Sequence, residues 1–121
     1  MKIREKLETL VKDYVRRRDK FTCQKCDKVV SGSNCQVSHV IPVSATLRLA
    51  YDPKNMKVLC YHDHLNWWHK NPVEAGEWFK NKFPDRWAYL QMINSEPTRP
   101  IKDFELQKLF EVLKKKFSLH E

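Results

Sequence analysis

The sequence predicts an α+β fold, mostly helical, in which a small cysteine-bearing core with a β-hairpin is flanked by N- and C-terminal helices. Three observations predict it. Apolar residues recur at helical spacing over residues 2–19 and again over 101–119. Strand-like segments flank the turn signal Ser31-Gly32-Ser33-Asn34. Cys23-Gln24-Lys25-Cys26 is a CxxC pair, and a third cysteine, Cys60, opens a later segment dense in His and Asp.

Each element follows in order. In residues 2–19, Ile3, Leu7, Leu10, Val11, Tyr14 and Val15 form one apolar stripe among Lys, Arg and Glu. This helix runs into Arg16-Arg17-Arg18, beside the CxxC pair. Lys28-Val29-Val30 and Cys35–Ile41 read as the two arms of the hairpin, closed by Pro42. Alternation places Cys35, Val37 and His39 on one face and Gln36, Ser38 and Val40 on the other. Residues 43–54 connect, with a short helical turn at Ala45–Leu49, and Asp52-Pro53-Lys54-Asn55 is a further turn. Met56–Leu59 leads into a helix expected over Cys60–His69. On that helix His62 and His69, seven residues apart, share a face, and Trp67-Trp68 are expected to pack as core. Helices follow over Val73–Phe83, Pro84–Ile93 and, after a proline-bounded linker, Ile101–Leu119, whose stripe is Phe104, Leu109, Leu113 and Phe117. A single domain is expected over 1–121: a helix at 1–20, the core at 21–72 and helices at 73–121.

Charge and composition narrow the function. Among 121 residues, 23 Lys and Arg face 15 Asp and Glu, a net charge of +8. So basic a small body favours polyanions, nucleic acid first among them. With two glycines, no Gly-rich phosphate loop can be assembled. No apolar run approaches the ~20 residues that span a bilayer, and the first residues lack a signal-peptide core, so a cytoplasmic protein is expected.

In a reducing compartment a CxxC pair is a zinc knuckle or a redox site. The redox reading wants a strand before the motif, and here a charged helix precedes it. Zinc needs four ligands: Cys23, Cys26 and Cys60 supply three. Asp63 and His64 both stand within reach for the fourth, although successive helical residues, turned by about 100°, cannot easily face one ion. Cys35 reads as a buried apolar cysteine. His39, between the two halves of this pattern, has the chemistry of a general base near neutral pH.

Cys23-x2-Cys26, Ser38-His39-Val40-Ile41-Pro42, Asn55 and the segment from Cys60 resemble the HNH, or ββα-metal, endonucleases on a zinc-bearing treble-clef frame. Tyr14-Val15-Arg16-Arg17-Arg18-Asp19, with Leu47-Arg48 and Asp52-x2-Asn55, is similar to the phage Rap/NinG recombination proteins; a more distant likeness is to phage endonuclease VII. The resemblance implies a metal-dependent DNA endonuclease acting on branched or structured recombination or repair DNA. It implies His39 as base and Asn55 as the brace of its loop. Asp63 would complete a structural Zn2+ site with the three cysteines, and His64 would hold a catalytic Mg2+ or Mn2+. Many of these proteins carry a metal-binding Asp before the base histidine; Ser38 stands there, which leans the site toward metals that accept imidazole. Arg16, Arg17 and Arg18 would grip the DNA backbone without reading sequence, and junction cleavage, which needs two active sites, would call for a homodimer. The competing function is a non-catalytic, zinc-dependent DNA-binding module.

Overall fold

Helix α1 (Ile3–Arg18) forms where the apolar stripe calls for it, and Leu7, Val11 and Val15 are fully buried. Each such side chain contributes up to about 1.5–3 kcal/mol by leaving water. The computed structural model describes residues 1–43 and 47–119. The second long amphipathic helix of the sequence, Asp103–Ser118, packs on α1 through Leu106, Leu113 and Phe117. The rings of Tyr14 and Phe117 stack 4.0 Å apart at 5°. Phe104, expected on this stripe, is 70% exposed. It lies two residues from Leu106, about 200° round the helix, so it faces away from α1.

Between these helices in the sequence, and packed on α1, comes a two-stranded antiparallel sheet, β1 (Gln36–His39) and β2 (Met56–Leu59). Its register pairs Gln36 with Leu59, Val37 with Val58, Ser38 with Lys57 and His39 with Met56. The hairpin partner therefore differs from the expected one. Lys28–Val30 folds back on Phe21–Cys23 instead: Val29 bridges Thr22, the Val30 amide donates to the Phe21 carbonyl and the Cys23 amide to the Lys28 carbonyl, both at 2.8 Å. Those backbone groups are spent on closing the CxxC turn. Gly32, at φ +56°, then turns the chain into β1, a conformation that favours glycine.

A two-stranded hairpin is marginal alone, and here side chains cover the outer edge of β2. The Met56 carbonyl accepts from Arg18 at 2.7 Å and from Arg86 at 2.6 Å. The Val58 amide donates to Asp19, and the Val58 carbonyl accepts from the Gln24 amide. Inner-face residues Val37, Met56 and Val58 join α1 in one core.

After β2 the chain was expected to run as an α-helix over Cys60–His69. Its central part, Asp63–Trp68, is a π-helix, and the His69 amide donates to the His64 carbonyl, five residues back, at 3.2 Å. Apolar spacing over so short a segment cannot distinguish one wide turn from an α-turn. Two further helices, α2 (Pro72–Lys82) and α3 (Pro84–Asn94), each begin on a proline, whose missing N–H costs nothing there; the helix at Asp103–Ser118 is then α4. Phe79 and Leu90 bury against Ile41 and Leu49 in a second cluster. Trp67 packs edge-on against Trp68 and Trp78. Of the helical turn expected at Ala45–Leu49, Leu47–Leu49 form a 3-10 turn; residues 45 and 46 lie outside the described residues. Among the described residues, no helix is long and apolar enough to cross a membrane.

Asn55, fully buried, ties the loop after β1 to the turn before β2. Its amide nitrogen donates to the carbonyls of Ile41 and Leu49 at 2.9 and 3.0 Å, and its oxygen accepts from the Ile41 amide at 2.8 Å. Asn55→Ala would orphan three buried backbone groups, so a loss of about 2–4 kcal/mol is expected in urea denaturation. A midpoint unmoved from the parent would show that this brace carries no stability.

Candidate metal centre and histidine cluster

The CxxC turn is built from unusual backbone. Lys20, Phe21 and Asp27 hold left-handed φ values of 57°, 52° and 63°. For residues with a Cβ this costs of order 1–2 kcal/mol each. The strain wraps the chain round Cys23, while Cys60 arrives at the end of β2 and Asp63 opens the π-helix. The result brings Cys23, Cys26, Cys60 and Asp63 together, with their ligand atoms all within 4.8 Å of one another. An Asp63 oxygen lies 3.3 Å from the Cys23 sulfur, and the Asp63 amide donates to the Cys60 sulfur at 3.4 Å.

Burial pushes the Cys23 thiol up to about 12 and the Cys60 thiol up as well. Without a cation the low dielectric keeps both protonated. A metal that takes them as thiolates must displace those protons. Three soft sulfurs and one carboxylate at this spacing fit a tetrahedral ion such as zinc. Cys35 is buried in the main core, outside this cluster, with its thiol also pushed up by burial. That is the environment of an inert apolar cysteine.

His64 faces elsewhere. Its Nδ1 lies 2.7 Å from Oε1 of Gln36 on β1, and its Nε2 lies 3.0 Å from Nε2 of His69. The bonding pattern of the π-helix, five residues per hydrogen bond, sets positions 64 and 69 side by side. His69 therefore pairs with His64, not with His62 as α-helical spacing implies; His62 is exposed beside Asn66. The Gln36 contact leaves the His64 Nε2 lone pair facing His69. Burial first, then the neighbouring His69, lowers His64 to about 4, so it is neutral at pH 7. The 3.0 Å separation is that of an N–H···N hydrogen bond, and it is also close to the spacing of about 3 Å that two nitrogens at about 2.1 Å from one ion take at a right angle.

His39 lines the same cavity as His64 and His69, about 650 Å3 in volume, with Trp68, Trp87 and Gln91. Its Nε2 lies 3.2 Å from the Ala50 carbonyl. A carbonyl only accepts, so Nε2 carries the proton, and in the neutral ring Nδ1 keeps its lone pair. Burial holds the imidazole below its ordinary value; Lys12 and Lys57 add to the effect, and the Ala50 bond and Glu8 oppose it.

Three contributors were missed by sequence reasoning. Gln36 was read only as an alternating strand residue, and His69 was hidden by the wide turn. Lys57 is fully buried on β2, opposite Ser38. Its ammonium donates to the Ser38 hydroxyl at 2.9 Å and to the His39 carbonyl at 3.3 Å, and sits 3.0 Å over the Trp68 ring. Burial lowers its pKa well below the usual range. A lysine inside the apolar run Met56–Leu59 was the available signal. The arginine run is divided: Arg16 reaches the Cys35 carbonyl, Arg17 pairs with Asp13, and Arg18 is committed to Asp19, Pro53 and Met56.

For the metal centre, one zinc per chain is expected in native protein by elemental analysis. Cys23→Ser should lose it and unfold the surrounding core, because a structural ion contributes folding free energy directly. Asp63→Cys should retain the ion or hold it more tightly. Native protein without tightly bound metal would refute this assignment.

No curated protein and no solved structure matches this chain. The segment that carries the cysteine–aspartate cluster, His39, Asn55 and His64 does match a family model. Residues 23–67 match that of the HNH endonucleases, and the match supports nuclease and DNA-binding activity for this segment.

Proposed function

We propose that this chain is a metal-dependent endonuclease that hydrolyses phosphodiester bonds in DNA. The observation that carries the reading is one cavity holding a neutral His39, with Nδ1 available, and the His64–His69 imidazole pair. In this reading His39 Nδ1 takes a proton from water as the water oxygen attacks phosphorus. The P–O3′ bond breaks in line and the leaving 3′-oxygen takes a proton from solvent, leaving a 5′-phosphate and a 3′-hydroxyl. A divalent cation at His64 and His69 would stabilise charge on the phosphoryl and leaving oxygens. Gln36 holds the His64 ring in the tautomer that frees Nε2. Asn55 is a positioning residue: it fixes the loop that follows His39.

The cysteine–aspartate cluster is the structural zinc site of the proposal, and His64 serves the reaction. The proposed substrate is structured recombination or repair DNA, supported by the resemblance of Tyr14–Asp19 and Asp52-x2-Asn55 to recombination proteins. Of the arginine run, Arg17 has the exposure for backbone contact. Homodimerisation is proposed on the same ground as the substrate, since junction cleavage needs two active sites.

Nicking of supercoiled plasmid with Mg2+, Mn2+ and EDTA tests the activity. His39→Ala should keep fold and metal while losing at least ~10²-fold in rate, the usual scale for general-base removal. A base must be deprotonated to act, and burial lowers this one. The rate should therefore rise with pH along an acid limb below ~6.5, then level off by neutrality. Nicking undiminished in His39→Ala, or equal in EDTA, would leave a non-catalytic zinc module as the better reading.

The imidazole pair makes a separate expectation. His69→Ala should weaken Mn2+ binding by roughly tenfold or more in electron paramagnetic resonance titrations, with the zinc content unchanged. Equal Mn2+ affinity would remove His69 from the proposed site.

A further inference from the structure

A second cleft, about 500 Å3, opens between α1, the segment 48–54, α3 and α4. Its walls carry Arg18, Lys54, Arg86 and Lys116 beside the rings of Tyr51 and Tyr89. The one acid on its lining, Asp52, is already engaged: it accepts from the Tyr89 hydroxyl at 2.5 Å and from the Lys54 amide at 2.9 Å. Among the described residues Lys54, Arg86 and Lys116 make no ion pair.

Arg86 is the centre of the cleft's chemistry. Its Nε and Nη2 donate to the Lys54 and Met56 carbonyls, and its guanidinium lies over the rings of Phe83 and Phe79 at 4.6 and 5.1 Å. The remaining nitrogen, Nη1, has no hydrogen bond among the described residues. Arg18 donates to the same Met56 carbonyl. Two guanidiniums on one carbonyl repel, and burial together with Arg18 lowers Arg86 to about 10. Asp19 and Asp52 offset this gathering of positive charge only in part, so an incoming anion is stabilising, and the unspent Nη1 can donate to a phosphate oxygen.

We propose that this cleft binds a phosphate group, held by Arg86 with Lys54 and Lys116 at its mouth. The proposal rests on the nuclease reading only for the carrier of that phosphate: a DNA backbone, or else a free nucleotide. Helix α3 is the shared wall. Arg86 and Tyr89 face this cleft, while Trp87, Gln91 and Asn94 face the histidine cavity. A DNA strand seated here is thus held on the side of α3 away from the reacting bond.

The test uses the full chain with zinc in place and two charge-matched double variants. Lys54→Glu with Lys116→Glu alters exposed side chains of the cleft; Lys80→Glu with Lys108→Glu alters exposed lysines outside it. A labelled DNA duplex is titrated without divalent cation across a salt series, and 5′-dAMP and inorganic phosphate are titrated by NMR, reading the tyrosine resonances. The cleft variant should bind DNA about tenfold more weakly, with its log K–log salt slope reduced by about 1 to 2, and the control should change far less. Loss of dAMP and phosphate binding with DNA affinity kept would uphold the site and make a free phosphomonoester its ligand. Cleft and control variants alike for all probes would overturn the proposal. Nicking by both variants, compared with His39→Ala, keeps the two readings apart: loss of the cleft effect alone leaves the nuclease assignment standing.

Discussion

The Met56 carbonyl is the joint on which the small sheet hangs. Charged donors from α1 and α3 converge on it, and hydrogen bonds from charged groups contribute about 1.5–3 kcal/mol each. The Asp19 carboxylate and the Gln24 backbone amide hold Val58, further along the same edge. A strand of four residues thereby behaves as a central strand, with β1 on one side and side chains and the Gln24 backbone on the other. Because Met56 pairs with His39, the guanidiniums also settle where His39 stands. The arginines beside the cysteine pair thus belong first to architecture: Arg18 aligns the histidine strand, and only what remains of the run is left for solvent and ligands.

The π-helix is the second constraint. It begins at Asp63, on the cysteine cluster, and it places His64 and His69 together on the other side. An α-helix would set residues 64 and 69 about 140° apart and lose that pairing. One wide turn thus serves two centres with adjacent residues. Wide turns of this kind have poorer intrinsic stability than α-turns and concentrate at functional sites. Here the turn is held by its surroundings: Trp68 lies over the Lys57 ammonium, Trp67 packs on Trp78, and Gln36 fixes His64.

What could be read from the sequence was local. The α1 stripe and the proline starts of α2 and α3 follow from spacing over one or two turns; Cys23, Cys26 and Cys60 could be read as ligands of one site, but spacing left Asp63 and His64 open for the fourth place, and Asp63 was favoured only by the resemblance. The partner of β1 did not follow, because Val29-Val30 and Met56–Leu59 have similar strand character. What decided between them was the backbone cost of closing the cysteine turn, which no propensity expresses. His69 escaped for a related reason, since the periodicity argument assumed 3.6 residues per turn throughout. Phe104 was misplaced because the starting residue of α4 sets which of two overlapping stripes faces inward. Lys57 escaped because a buried lysine is legible only through its partners, and those sit on β1 and the π-helix.

The charge around the histidine cavity carries the argument one step further. Among the described residues its lining holds no carboxylate: three imidazoles, Gln91 and Asn94 supply its polar atoms. The basic groups Lys12 and Lys57 add to burial in holding His39 below its ordinary value, and the Lys57 amine is bound to the Ser38 hydroxyl. Such surroundings keep His39 and His64 neutral, so both retain lone pairs at pH 7. They also leave a divalent cation without protein counter-charge. In the proposed reaction that counter-charge comes with the substrate, whose phosphate brings the oxygens that hard cations require. Metal and DNA then each raise the affinity of the other, as linkage demands of two ligands that neutralise one another. The absence of a carboxylate from the described lining thus ties cation binding, in the proposed reaction, to the arrival of a phosphodiester.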